Sequence, residues 1–203
     1  MHFEMNSATT RRMAATAARI TTVARQLTAE RGLTGFTVEE VCERAGISRR
    51  TFFNYFATKD DAVLGRSAHR DDHDLVEGFL AAGGDLVDDL VRLTAGRWVR
   101  ADITVEKCRE VQAAVEREPR LLARFFEQLL RDEQSDVELV ERREGLPAGD
   151  LRAAAAVQIV GALAGASVRE FLREGNTTSF GDLLTRRLAA ARALLSPDTE
   201  RTP

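Results

Sequence analysis

The sequence predicts an all-α protein with about nine helices: an N-terminal three-helix helix-turn-helix domain followed by a larger helical C-terminal domain. Apolar residues recur at spacings of three and four, and no segment shows the alternation of a strand. Alanine, arginine, leucine and glutamate dominate the composition, and all four are strong helix formers. A chain of 203 residues that is 44% hydrophobic and 30% charged is not fibrous, disordered or disulfide-stapled.

The first four predicted helices have recognisable ends. Apolar residues between Met13 and Leu27 are spaced four, three, four and three, which predicts an amphipathic helix starting at about residue 9. That helix ends at Gly32, since glycine readily adopts the left-handed conformation of a helix terminus. The next three helices begin at side-chain caps: Thr37, with Glu40 completing a capping box, then Ser48, then Thr58.

Glycine and proline divide the rest of the chain. The helix that begins at Thr58 is expected to be long, because helical spacing continues to about residue 81, before Gly83 and Gly84. Five further helices follow. The first begins near Asp85, the second covers about 104–118, and the third begins at Pro119. The last two cover about 150–173 and 180–195.

The charge is unevenly distributed along the chain. Residues 1–59 contain nine basic and five acidic residues, a net charge of +4, whereas the remainder carries −7. A basic N-terminal quarter on an acidic body is the pattern expected of a nucleic-acid-binding head on a body that does not bind nucleic acid.

The segment over residues 37–59 carries the functional prediction. Two short helices joined by residues 45–48 form a helix-turn-helix, and Ile47, Phe52 and Phe56 fall on the inner face of the second helix. Arginines at the start of such a helix can reach guanine edges or phosphates in a major groove, and residues at neighbouring helix starts can bind flanking phosphates. The predicted DNA-binding residues are Thr37, Ser48, Arg49, Arg50, Thr51, Phe53, Asn54, Tyr55 and Lys59.

Five short segments in and around this region form a recognisable pattern: Ala29–Gly32, Phe36–Val38, Ala45–Ser48, Thr51–Phe56 and Thr58–Asp61. With them, the chain over about residues 12–65 resembles the DNA-binding domain of the TetR/AcrR family of transcriptional repressors. Phe53 stands where many members have a tyrosine that contacts phosphate, and Cys42 where an aliphatic residue or alanine is usual.

The resemblance implies a homodimer that binds a double-stranded DNA operator and is released from it by a small ligand. It implies a DNA-binding domain over residues 9–57 and an effector-binding and dimerisation domain over 58–203. The predicted dimer helices lie at about 150–174 and 180–195, where small residues permit close approach of a partner helix. An intramolecular core helix would show the same pattern.

A small hydrophobic effector is expected to bind among bulky side chains of the C-terminal domain. Aromatic residues between helices often surround an apolar molecule, although they also serve as ordinary core. The candidates are Phe79, Trp98, Cys108, Phe125 and Phe126.

Other functions find less support in the sequence. His69 and His73 share a helix face, but a charged, solvated turn explains them better than a metal site. We expect no cofactor and no enzymatic activity, because neither a phosphate-binding glycine loop nor a nucleophile–base pair is apparent. We also expect no membrane span and a cytoplasmic location, with Cys42 and Cys108 reduced. The alternative function is an all-helical protein-interaction module that does not bind DNA.

Overall fold

The computed structural model describes the backbone of residues 2–67 and 72–195, with side chains from residue 12 onward in those ranges. The described residues form ten α-helices and no strand, which confirms the all-α class. The first five helices are α1 (His2–Arg31), α2 (Val38–Ala45), α3 (Arg49–Tyr55), α4 (Lys59–Leu64) and α5 (His73–Ala81). The remaining five are α6 (Leu86–Arg100), α7 (Val105–Arg117), α8 (Arg120–Glu144), α9 (Leu151–Phe171) and α10 (Phe180–Leu195).

The helix predicted over residues 58–81 is two helices, α4 and α5, which accounts for the tenth helix. Gly65 follows α4 with a left-handed φ of 74°, and its N–H bonds to the carbonyl oxygen of Ala62 at 3.2 Å. The N–H of Arg66 bonds to the carbonyl oxygen of Asp61 at 2.8 Å, so both bonds of a Schellman ending are present. A helix does not continue through a left-handed residue, and the prediction of one long helix was therefore wrong.

The predicted caps of α2, α3 and α4 are confirmed. Thr37 Oγ1 accepts the Glu40 N–H at 3.2 Å, and the Glu40 carboxylate accepts the Thr37 N–H at 2.8 Å, which completes the capping box. Ser48 Oγ accepts the Thr51 N–H at 3.0 Å, and Thr58 Oγ1 accepts the Asp61 N–H at 3.1 Å. These local bonds fix the start of each short helix.

The chain divides into two compact units. The first unit comprises Met1–Asp71 and Glu106–Leu130, and the second comprises Asp72–Val105 and Arg131–Pro203. The first unit therefore includes most of α7 and the first part of α8 beside the helix-turn-helix. The domain boundary expected after residue 57 remains a prediction.

The first unit has an apolar core that fixes the frame of the helix-turn-helix. Ile20 and Leu27 of α1, Phe52 of α3 and Leu121 of α8 are fully buried in it. The turn after α1 is also bonded to the residue that follows α7, because the carboxylate of Glu118 accepts the N–H of Leu33 at 2.7 Å. The surfaces of α2 and α3 are thus presented by a packed scaffold.

The second unit combines an apolar core with buried charge. Phe79, Val160 and Leu184 belong to its buried cluster. The carboxylate of Asp89 on α6 and the guanidinium of Arg143 on α8 form an ion pair, and their side chains are 2% and 3% exposed. Charges this deeply buried are tolerated in proteins only when they are paired.

Candidate DNA-binding surface

The inner face of α3 anchors this helix to the first unit. Phe52 and Phe56 are fully buried, and their ring centroids are 6.0 Å apart. Ile47, just before the helix, packs against the same core and is half-buried. The inward positions predicted from the sequence are therefore confirmed, and they fix which side of α3 faces away from the core.

The outer face of α3 is polar, with one exposed aromatic ring. Arg49, Arg50, Phe53 and Asn54 are all exposed. Tyr55 is half-buried and packs against the core, so it lies at the border between the two faces. The arrangement offers guanidinium and amide groups from one rigid helix, and these groups suit the edges of guanine and adenine.

Arg49 is held from two sides. Its Nη1 lies 2.6 Å from Oε1 of Glu39 on α2, and its guanidinium carbon lies 5.5 Å from the centroid of the Phe53 ring. Sequence reasoning missed Glu39, because its meeting with Arg49 depends on the angle between α2 and α3. Arg50, the next residue, has no hydrogen-bond or ion-pair partner among the described residues.

The hydroxyl and ammonium groups predicted to bind phosphate surround α3 and already have partners within the protein. Ser48 Oγ and Thr51 Oγ1 are 2.8 Å apart at the start of α3. The ammonium group of Lys59 donates to the carbonyl oxygen of Phe36 at 2.8 Å and lies 4.9 Å from the Phe36 ring centroid. An ammonium group has three N–H donors, so Lys59 retains donors for a phosphate.

Several other basic residues of the first unit are engaged in ion pairs. Arg25 bonds to Glu110 at 2.7 Å, and Arg31 bonds to Glu40 at the same distance. The pKa of Glu40 lies below its ordinary value, mainly because its carboxylate accepts the Thr37 N–H and also because Arg31 is adjacent. Part of the net positive charge of the N-terminal region is therefore neutralised by carboxylates on helices other than α3.

Cys42 belongs to the core of the first unit, as the sequence suggested. The residue lies on α2 and is buried. Burial raises the pKa of the Cys42 thiol, so the group is protonated and apolar in character at neutral pH.

The five residues predicted to bind an effector fall in different units. Phe79 and Trp98 belong to the second unit, whereas Cys108, Phe125 and Phe126 belong to the first. Within the first unit, the Phe125 and Phe126 rings contact edge to face at 6.2 Å. Cys108 is half-buried there, and burial raises the pKa of its thiol.

Phe79 and Trp98 have distinct roles within the second unit. Trp98 stacks on Phe180 with ring centroids 4.0 Å apart and meets Phe171 edge to face, so its indole is engaged in core packing. Phe79 lies under the guanidinium of Arg143, with its centroid 4.9 Å from the guanidinium carbon. Of the predicted residues, Phe79 alone also borders the cavity described next.

A partly open cavity of about 200 Å³ lies between α5 and α6 of the second unit. Its walls are mainly apolar, and two carboxylates and one guanidinium are also among the lining groups. This volume is below the range of about 300–1,000 Å³ that is usual for drug-sized ligands. The lining residues are Asp74, Leu75, Gly78, Phe79, Ala82, Asp89, Arg92 and Leu93.

One of the two histidines considered as metal ligands lies within the described residues. His69 lies outside the described residues. His73 is exposed at the start of α5, with Nδ1 3.4 Å from a carboxylate oxygen of Glu77. Within the described ranges, no three His, Cys, Asp or Glu side chains are grouped as a metal site requires.

Two helices of the second unit expose apolar faces. On α9, Leu151 and Ile159 are exposed, and a Cβ built at Gly161 or Gly165 would meet open space. On α10, Leu194 is 86% exposed, next to exposed alanines. In the described part of the chain α9 is also the one helix long and apolar enough to cross a membrane, with a mean hydropathy of 1.5 and 28% of that window buried. Core helices of soluble proteins meet the same criteria.

Comparisons with known proteins agree with this geometry. Residues 20–64, which run from α1 to the end of α4, match the family model of bacterial regulatory proteins, tetR family. The fold is similar to the crystal structure of a protein from Mesorhizobium loti MAFF303099 described as a TetR-family transcriptional regulator. The two share 21% identity at a TM-score of 0.53, over 91% of this chain and 96% of the other. No curated protein matches the sequence. The resemblance stated from the sequence is confirmed.

Proposed function

We propose that this protein represses transcription from a palindromic operator and is released from it by a small hydrophobic effector. Its tetR-family DNA-binding domain at residues 20–64 makes it a transcriptional regulator. The observation that carries the proposal is the outer face of α3. Its arginines and Asn54 are exposed on a helix whose opposite face is fully buried. Binding groups on a rigid helix are presented to DNA at little cost in conformational entropy.

DNA recognition would follow from the chemistry of this face. An α-helix fits the major groove, where arginine pairs with guanine O6 and N7 and asparagine pairs with adenine. Thr37, Ser48, Thr51 and Lys59 lie at helix starts around α3 and would bind phosphates. Phe53 lacks the hydroxyl that a tyrosine would donate, so its contribution would come from van der Waals contact with the backbone or a thymine methyl.

Dimerisation through α9 and α10 would cover their exposed apolar faces. The glycines and alanines of α9 permit close approach of a second copy, and Leu151 and Leu194 are otherwise left in water. A two-fold axis through these helices would present two copies of α3 to half-sites about one helical turn, roughly 34 Å, apart. A protein assembled in this way would work in the cytoplasm, and α9 would lie in a protein interface rather than in a membrane.

Release by an effector requires that the ligand bind one dimer state better than the other. We place the effector in the C-terminal part of the chain, where the cavity beside Phe79 offers apolar walls. Its volume of about 200 Å³ favours a small molecule, unless the site enlarges on binding. The effector would favour a dimer in which the two α3 helices no longer match successive major grooves.

Selection of bound duplexes from random DNA tests the proposal, with the molar mass of the protein measured in the same buffer. We expect a palindrome with half-sites one helical turn apart, bound by a dimer. Recovery of no sequence at low salt, from a folded dimer free of bound small molecules, would contradict DNA recognition and favour the protein-interaction module. Partition of the protein into detergent micelles or vesicles would contradict the assignment of α9 to a dimer interface.

A further inference from the structure

The acidic side chain of Glu39 is unexpected on a surface that binds DNA. It lies in the first turn of α2, beside the outer face of α3, and its side chain is 57% exposed. A carboxylate near a phosphate backbone is electrostatically unfavourable. We therefore expect Glu39 to make a favourable contribution that offsets this repulsion.

Fold stability provides only a small part of that contribution. The ion pair between Glu39 and Arg49 is short, at 2.6 Å, but both side chains are more than half exposed. Exposed pairs of this kind add little to the stability of a folded protein. The favourable effect of an acid in the first turn of a helix is of similar size.

The contacts around Arg49 bear on the orientation of its guanidinium. The buried ring of Phe52 packs edge to face against Phe53 at 5.3 Å, and Phe53 in turn lies under the guanidinium of Arg49. Glu39 fixes the same guanidinium from the side of α2 through Nη1. The remaining donors of the planar fork stay available for a bidentate contact with a base. Arg50 has no such restraint among the described residues.

We propose that Glu39 is a positioning residue for specificity: it orients Arg49 toward a guanine edge and opposes binding to DNA that lacks this guanine. On the correct sequence, the ordered guanidinium forms its base contact without losing further rotational freedom. On any other sequence the repulsion between Glu39 and phosphate is not offset. Of the two arginines, Arg50 has no partner among the described residues and binds phosphate. This inference rests on the proposed function, since it requires that α3 read DNA.

Replacement of Glu39 by glutamine tests the inference, with Glu43→Gln as the matched control. Glu43 lies one turn further along α2, is exposed, and has no ion-pair partner among the described residues. Both changes remove one negative charge from the same helix. The measurements are the affinities of wild type and variants for the selected operator and for a scrambled duplex of equal length, together with thermal unfolding.

The two variants are expected to behave differently. Glu39→Gln should lower the ratio of operator to scrambled affinity about tenfold, because a well-placed arginine–guanine contact discriminates by one to two orders of magnitude. Its affinity for scrambled DNA should rise. Glu43→Gln should change both affinities by a similar factor and leave the ratio within about twofold, as expected of a purely electrostatic effect. A loss of folded protein would scale both affinities alike and would not move the ratio.

The same substitution in an Arg49→Ala background tests whether Glu39 acts through Arg49. The ratio should then be insensitive to Glu39→Gln, because the residue to be oriented is absent. An unchanged ratio for Glu39→Gln alone, or an equal loss in the Arg49→Ala background, would overturn the inference while leaving the proposed function intact. Failure of the wild-type protein to distinguish operator from scrambled DNA would overturn both.

Discussion

The segment α2–α4 and the second unit are stabilised in different ways. Each helix of α2–α4 begins at a cap whose partner lies three residues along the chain, as Thr37 and Ser48 show. The second unit also has local caps, at Asp85 and Asp150, but there ion pairs join residues far apart in the sequence as well. Asp89 and Arg143 are 54 residues apart, and Asp85 and Arg192 are 107 residues apart. The first kind of contact can be inferred from the sequence, whereas the second becomes visible only in the fold.

This difference also concerns function. The proposed recognition face consists of short helices ordered by local bonds and by the apolar core of the first unit, so its surface can vary without changing its scaffold. The second unit contains an arginine that is central to its packing, since Arg143 also donates to the carbonyl oxygens of Ala82 and Gly84 after α5. Substitutions should therefore affect mainly binding in the first region and mainly stability in the second.

The largest expected effect is that of Arg143→Ala. The change removes the buried partner of Asp89 and leaves its carboxylate paired only with Arg92, whose side chain is mostly exposed. The expected cost is therefore about 3 kcal/mol, the lower end of the range for breaking a buried pair. Urea unfolding followed by the fluorescence of Trp98, the single tryptophan, reports on the second unit. The neighbouring Arg142→Ala, at an exposed position, should stay within about 0.5 kcal/mol of wild type. Equal unfolding free energies for Arg143→Ala and Arg142→Ala would show that the buried ion pair does not stabilise the second unit.

The next effect concerns binding rather than stability. Arg50→Ala should weaken operator affinity by about 1–3 kcal/mol, and the slope of log affinity against log salt should fall by about one if Arg50 neutralises a phosphate. The unfolding free energy should remain unchanged, because Arg50 has no partner to lose among the described residues. Fluorescence anisotropy at several salt concentrations measures both quantities. Wild-type affinity would exclude Arg50 from the interface.

A smaller effect tests the local caps. Ser48→Ala removes the acceptor of the Thr51 N–H at the start of α3, which should cost about 1 kcal/mol of unfolding free energy. Ser48→Gly should cost only a few tenths of that, since glycine leaves this N–H accessible to water. If Ser48→Ala unfolded with the same free energy as wild type, the Ser48 hydroxyl would not be what stabilises the start of α3.

The smallest effect is a pH dependence in the second unit. The hydrogen bonds from Arg100 hold the pKa of Asp74 at about 2, below its usual 3.8. Because the folded pKa is the lower one, this stabilisation is present above about pH 4 and is lost as the pH falls through about 2. Arg100→Gln should raise the pKa of Asp74 towards 3.8, which carboxyl NMR would detect. The pKa of Asp85, which depends mainly on the Asp88 N–H, serves as the internal control. An unchanged Asp74 pKa would show that Arg100 is not what lowers it.

The helical class, the helix-turn-helix, its caps and its inward aromatics could all be predicted from the sequence, because each depends on neighbours within a few residues. The break at Gly65 could not, since an isolated glycine is tolerated within a helix and ends it only when it becomes left-handed. The stacking of Trp98 on Phe180 joins helices far apart in the chain. The contact between Glu39 and Arg49 likewise depends on the angle between two helices. The roles of the nine predicted DNA-binding residues remain predictions.

The central claim is that the outer face of α3 reads the major groove, and methylation interference on the selected duplex tests it most directly. Methylation of guanine N7 blocks the major-groove acceptor that arginine uses. We expect interference at guanines in both half-sites, about one helical turn apart, and loss of one of these signals in Arg49→Ala. Binding that tolerates N7 methylation throughout would contradict the account.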